Sequence, residues 1–141
     1  MYNRETGAVG LMLNRIRAGK EMNRLGSMHL AVVNVGRFYY VQHYNTKIAI
    51  GLRGELPFAM TTQGWNTVTT LNILRSLGFN LYTERISLGK RRNPNTHRMN
   101  NIFERVLHVD GKPMLDESGA PDYGAWYGHG GIRLDANPNF L

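Results

Sequence analysis

Residues 44–77 read YNTKIAIGLRGELPFAMTTQGWNTVTTLNILRSL. Within this one stretch the hydrophobic period changes from two to nearly four, and that change decides the fold. Lys47 to Leu52 alternates as a strand, Arg53-Gly54 makes a tight turn, and Leu56 to Thr61 is a second strand that Pro57 pushes toward a sheet edge. A helix follows. Thr67 or Thr69 can cap it, Leu71, Ile73, Leu74 and Leu77 form its apolar face, and Gly78 stops it. The junction is crowded with hydroxyls and amides: Thr61, Thr62, Gln63, Asn66, Thr67, Thr69, Thr70 and Asn72, with Trp65 among them. Such a shelf can hold the helix in place, or it can hold a phosphate or a base.

On the N-terminal side, residues 29–44 are rich in β-branched and aromatic side chains and read as two strands about a turn near Val35-Gly36. Residues 6–24 follow helical spacing through Val9, Leu11, Met12, Ile16 and Met22, with Gly26 as the stop; Gly7, Gly10 and Gly19 weaken that helix. On the C-terminal side, Phe79 to Leu88 reads as a fifth strand, Gly89 to Asn95 as a loop, Arg98 to His108 as a helix and Asp110-Gly111 as a turn. Residues 110–141 read as a long irregular segment held down by Tyr123, Trp126 and Tyr127. The expectation is one α+β domain over residues 1–141, with an antiparallel meander of four to five strands, an N-terminal helix and a short central helix.

The chain has 141 residues, no cysteine and a formal charge of +7. The absence of cysteine excludes a disulfide framework and a thiol nucleophile, and suits a reducing cytoplasm. No apolar run is long enough to span a bilayer, and residues 1–13 lack a secretion pattern, so no membrane association is expected. Of 17 basic residues, 13 are Arg, the side chain better suited to forked bonding to phosphate and to stacking on bases; codon usage can also enrich Arg. Between Arg85 and Arg105 lie six basic residues and one acid, Glu104, whereas residues 110–141 hold five acids against Lys112 and Arg133.

The foremost candidate contact surface is therefore Arg85, Lys90, Arg91, Arg92 and Arg98, which reads either as a phosphate-binding surface or as a solvated loop. Thr69 and Thr70, at a helix start with free N–H groups, are a second candidate for phosphate. Trp65, Tyr40 and Tyr44 are candidates for base stacking, and Trp65 also reads as a core residue. The five histidines show no metal-ligand spacing, so neither a metal nor a cofactor is expected. Gly128-His129-Gly130-Gly131 resembles a glycine-lined oxyanion loop but has no matching nucleophile motif, and no acid/base pair or P-loop is visible. The expectation is a binding protein, not an enzyme.

The run Tyr44-Asn45-Thr46-x-Ile48-Ala49, then Thr61/Thr62-x-x-Trp65, then Thr69-Thr70 with Asn72, resembles a pattern in small uncharacterised bacteriophage proteins over residues 40–77. The chain departs from that pattern at Leu71, where Ser is usual, and lacks the following His. The resemblance implies a phage origin and action in a bacterial host cytoplasm, and no active site comes with it. The leading reading is a small basic phage protein that binds nucleic acid or another phosphate-bearing ligand. A second is an anti-defence protein that sequesters a nucleotide signal, in a closed pocket between subunits of a homo-oligomer, or that docks on a host immune complex. A third is a structural or assembly protein of the virion.

Overall fold

The computed structural model describes residues 4–25, 29–92 and 94–134, with the side chains of 4–6, 24, 25 and 91 outside the described set. The elements run α1 (Arg4–Arg17), β1 (Met22–Leu25), β2 (Leu30–Val35), β3 (Phe38–His43), β4 (Thr46–Leu52), β5 (Ala59–Met60), α2 (Val68–Ser76), β6 (Leu81–Arg92), β7 (Met99–Val109), β8 (Lys112–Pro113), β9 (Trp126–Gly128), a 3-10 turn (His129–Gly131) and β10 (Arg133–Leu134). The fold is α+β. One antiparallel sheet has the order β1-β2-β3-β4-β5-β9-β10, and a second has the order β6-β7-β8.

The central hairpins follow from composition. Short turns at Gly36-Arg37 and Tyr44-Asn45 join β2, β3 and β4, whose alternating residues divide between two faces. Tyr39, Val41, Ile48 and Met60 face the main core, where Ala8, Met12 and Ile16 of α1 meet Ile73 and Leu74 of α2. The opposite face carries a smaller cluster of Ile50, Ala59 and Trp126, with Tyr40 and Leu134 packed against it. No described helix is long and apolar enough to cross a membrane.

Four sequence expectations need correction. The N-terminal helix ends at Arg17, not at residue 24: Gly19 takes the left-handed conformation (φ 70°), and Met22 then pairs with Val32 in β1. Its expected stop, Gly26, lies outside the described residues. The expected strand Leu56 to Thr61 shrinks to Ala59–Met60. Of the expected loop at 89–95, residues 89–92 are instead the distal end of β6 while 94 and 95 do lie in a turn, and the expected helix at 98–108 falls almost wholly within the strand β7. There, pairing between strands wins over local helix spacing, as expected for a segment carrying Ile102, Phe103, Val106 and Val109.

The C-terminal segment is more regular than its composition implied. Met60 pairs with Tyr127, so β9 and β10 extend the large sheet beyond β5. The buried Thr61 and Thr62 hydroxyls both donate to the Tyr123 carbonyl, at 3.3 and 3.4 Å, which fastens this segment to the strand-to-helix junction.

Gly51 has a packing role. It lies opposite Tyr39, whose hydroxyl donates to the Glu55 carbonyl at 2.7 Å. A Cβ at Gly51 would meet the Tyr39 hydroxyl at 2.7 Å and the Pro57 Cα at 2.9 Å. Gly51→Ala is expected to cost about 1–3 kcal/mol, because the ring or the backbone must shift. Urea denaturation measures it, and an unchanged midpoint would contradict this packing.

Candidate functional site

The basic residues between Arg85 and Arg105 fall on a long two-stranded ribbon. Beyond its root, β6 and β7 pair only with each other, because β8 reaches only His108 and Val109. The register sorts the side chains. Leu81/Val109, Thr83/Leu107, Arg85/Arg105 and Ser87/Phe103 share one face, and Glu84/Val106 and Ile86/Glu104 share the other. A bulge between Ser87 and Lys90 inserts one extra residue on β6. It brings Lys90, opposite Asn101, and Arg92, opposite Met99, to the face of Arg85 and Arg105.

That face carries four cations and no carboxylate, while Glu84 and Glu104 occupy the other side. Arg85, Lys90, Arg92 and Arg105 are exposed, and among the described residues none has an ion-pair partner. The Arg85 guanidinium lies over the Phe103 ring at 4.7 Å. Arg105 donates to the Thr83 hydroxyl at 3.4 Å. Phe103 and Met99 on the same face are about half exposed. Arg98 is exposed at the turn before β7, and Arg91 holds a register position opposite Asn100, with its side chain outside the described set. Arg105 was missing from the sequence candidates, because only the strand register sets it beside Arg85.

The second feature is a cavity of about 440 Å³ between the β3–β4 turn and the start of α2, lined by His43, Tyr44, Asn45, Thr46, Ile48, Trp65, Thr67 and Thr70. Tyr44, Trp65 and Thr70, candidates read separately in the sequence, thus lie around one cavity. Trp65 is 63% exposed and does not belong to the core. Tyr40 lies on the opposite face of the sheet, with the Lys47 ammonium 4.6 Å from its ring centre, so it does not join the other two aromatics. Thr69 is half-buried within α2 and does not line the cavity. Among the described residues, no Arg or Lys lines it either.

Thr67 caps α2 by accepting from the Thr70 N–H at 3.2 Å. Its hydroxyl also donates to Thr70 Oγ1 at 3.0 Å, and Thr70 Oγ1 lies 3.1 Å from His43 Nδ1. With Thr67 donating to Thr70 Oγ1, the Thr70 hydroxyl is placed to donate to Nδ1, the arrangement in which His43 carries its own proton on Nε2. Thr70 is thereby engaged in orienting an imidazole. His43 escaped the sequence reading because nothing near it in the chain signals a partner 27 residues away.

His43 is 8% exposed, and among the described residues its Nε2 has no hydrogen-bond partner. Burial, followed by the nearby His29, holds its pKa below the ordinary 6.5. The neutral ring is favoured in the fold, so below about pH 6.5 the unfolded chain binds more protons and stability falls with pH. Asp110 adds to this only in stronger acid: burial raises its pKa, but N–H groups of Asn80 and Gly130 and the nearby His129 outweigh that and hold it below 3.8. Thermal unfolding is expected to shift upward between pH 5 and pH 7. The rise should shrink in His43→Gln, and an equal rise in the variant would contradict the assignment.

Tyr44 is also unusual. It holds φ 56° in a two-residue turn, a conformation uncommon for a bulky side chain. Its ring lies 4.9 Å from His29 and 4.8 Å from His43. No protein-family model matches the chain, and no curated protein or solved structure was found to be similar to it.

Proposed function

We propose that this protein binds nucleic acid through the phosphate backbone, using the basic face of the β6–β7 ribbon. The observation that carries the reading is the segregation of Arg85, Lys90, Arg92 and Arg105 on one acid-free face of an exposed ribbon. Four like charges held this way repel one another, and a polyanion relieves that repulsion. β6 alone has 12 residues, a length of about 40 Å, and a two-stranded ribbon fits the major groove of a duplex. Phe103 and Met99 supply apolar contact on the same face. The bacteriophage setting implied by residues 40–77 is compatible with such a role.

The interface offers cations and few amide groups aimed at base edges, so it favours binding with little sequence preference. Fluorescence anisotropy with a labelled single strand and a labelled duplex of unrelated sequences tests this at low salt. Saturable binding to both is the expected result. No binding at micromolar protein would overturn the reading.

A further inference from the structure

The cavity has a different chemistry from the ribbon. We infer that the pocket between the β3–β4 turn and the start of α2 is a nucleobase site, in which Tyr44 and Trp65 flank the ring and His43 Nε2 donates to an acceptor on its edge. The inference does not rest on the ribbon's role, since the ring need carry no phosphate.

Three observations carry it. First, His43 is more than nine-tenths buried, its Nδ1 is engaged by Thr70, and its Nε2 is orphaned. Buried polar groups are almost always paired, so this one calls for an acceptor that arrives with a ligand. Second, among the described residues no charged side chain lines the cavity, and the imidazole is held neutral, so the site suits an uncharged ring and not a phosphate. Third, the walls combine two aromatic rings with the Asn45 amide and the Thr46 and Thr67 hydroxyls. Flat apolar faces with hydrogen-bonding groups at the edge match a purine or pyrimidine, and the volume of about 440 Å³ is that of a small-molecule pocket.

Nε2 is closed to solvent, so a base reaches it only when side chains around the cavity give way, and the Tyr44 ring, in tilted contact with His43, is one that can. Tyr44 is suited to that motion: it is 52% exposed and sits in a turn of uncommon backbone conformation. The ring can come from a free nucleoside or from a base turned out of a strand.

Titration calorimetry with the four ribonucleosides, followed by oligonucleotides with and without one abasic position, tests the site and separates the two sources. A nucleoside that saturates one site per chain supports the free-ligand source. Binding only to oligonucleotides, weakened by the abasic position, supports the strand source. Trp65→Ala should weaken either by about tenfold or more with the fold intact, because Trp65 is largely exposed. His43→Phe, which fills the space but removes the donor, should weaken it similarly. Alanine at Arg15 and Arg17, exposed and outside both sites, should leave nucleoside binding unchanged. Nucleosides that do not bind, together with abasic and intact strands of equal affinity, would overturn the site; so would preferential binding of tyrosine amide or tryptophan amide.

Discussion

Alanine at Arg85, Lys90, Arg92 and Arg105 together is expected to weaken nucleic-acid binding by roughly a thousandfold near 0.1 M salt. At that salt the release of counterions from one neutralised phosphate is worth about 1 kcal/mol, and about 1.4 kcal/mol is a factor of ten. Four such contacts therefore supply about three decades. The substitutions fall on exposed positions of a ribbon whose pairing is made by backbone groups, so the fold should survive them. Net charge alone is controlled by a second variant that loses Arg15, Arg17, Lys20 and Arg37, all exposed and off the ribbon. It should lose far less affinity, since charges that do not touch phosphates mainly affect encounter rates. Equal losses in the two variants would reduce the ribbon to generic charge.

The second large effect concerns the return of the chain to the sheet. Tyr127→Ala is expected to cost about 3–5 kcal/mol, the usual range for truncating a large buried aromatic. Tyr127 is 1% exposed, pairs with Met60 across the sheet and donates its hydroxyl to the Asp122 carbonyl at 2.6 Å. Burial and the nearby Asp122 push its own pKa up to about 12, so the hydroxyl stays protonated and donating through the neutral range. Tyr127→Phe should cost only about 1 kcal/mol, because the ring remains in the core. Chemical denaturation separates the two. A Tyr127→Ala protein within 1 kcal/mol of the parent would mean that residues beyond 120 are an appendage and not part of the core.

The elements legible in the sequence were those coded by local chemistry. Thr67 as cap, the apolar face of Leu71, Ile73 and Leu74, and the stop at Gly78 all stand within one helical span, and α2 appears where they put it. The hairpins around Gly36 and Gly54 were legible for the same reason. What stayed hidden depends on partners distant in the chain. Residues 98–108 carry a mixed pattern that suits helix or strand, and only pairing with β6 decides it. Trp126 and Tyr127 look like anchors in an irregular tail, yet their strand extends the large sheet by pairing with Ala59 and Met60, nearly 70 residues earlier.

The candidate sites divide in the same way. The density of Arg around residues 85–105 is plain in the sequence, but its confinement to one face needs the register and the bulge. The polar shelf puts Trp65 near Thr70 in the chain, but the approach of Tyr44 to them depends on the fold. The orphaned His43 could not be read from the sequence, because an unpaired Nε2 is a property of packing and leaves no trace in composition.

The ribbon's role is tested most directly by the slope of log binding constant against log salt for the parent and the fourfold ribbon variant. Four phosphate contacts give a slope of roughly −2.8 on a single strand and −3.6 on a duplex. The variant's slope should fall close to zero. A parent slope near zero, or a variant that keeps the parent's slope, would place the nucleic-acid contact elsewhere or remove it altogether.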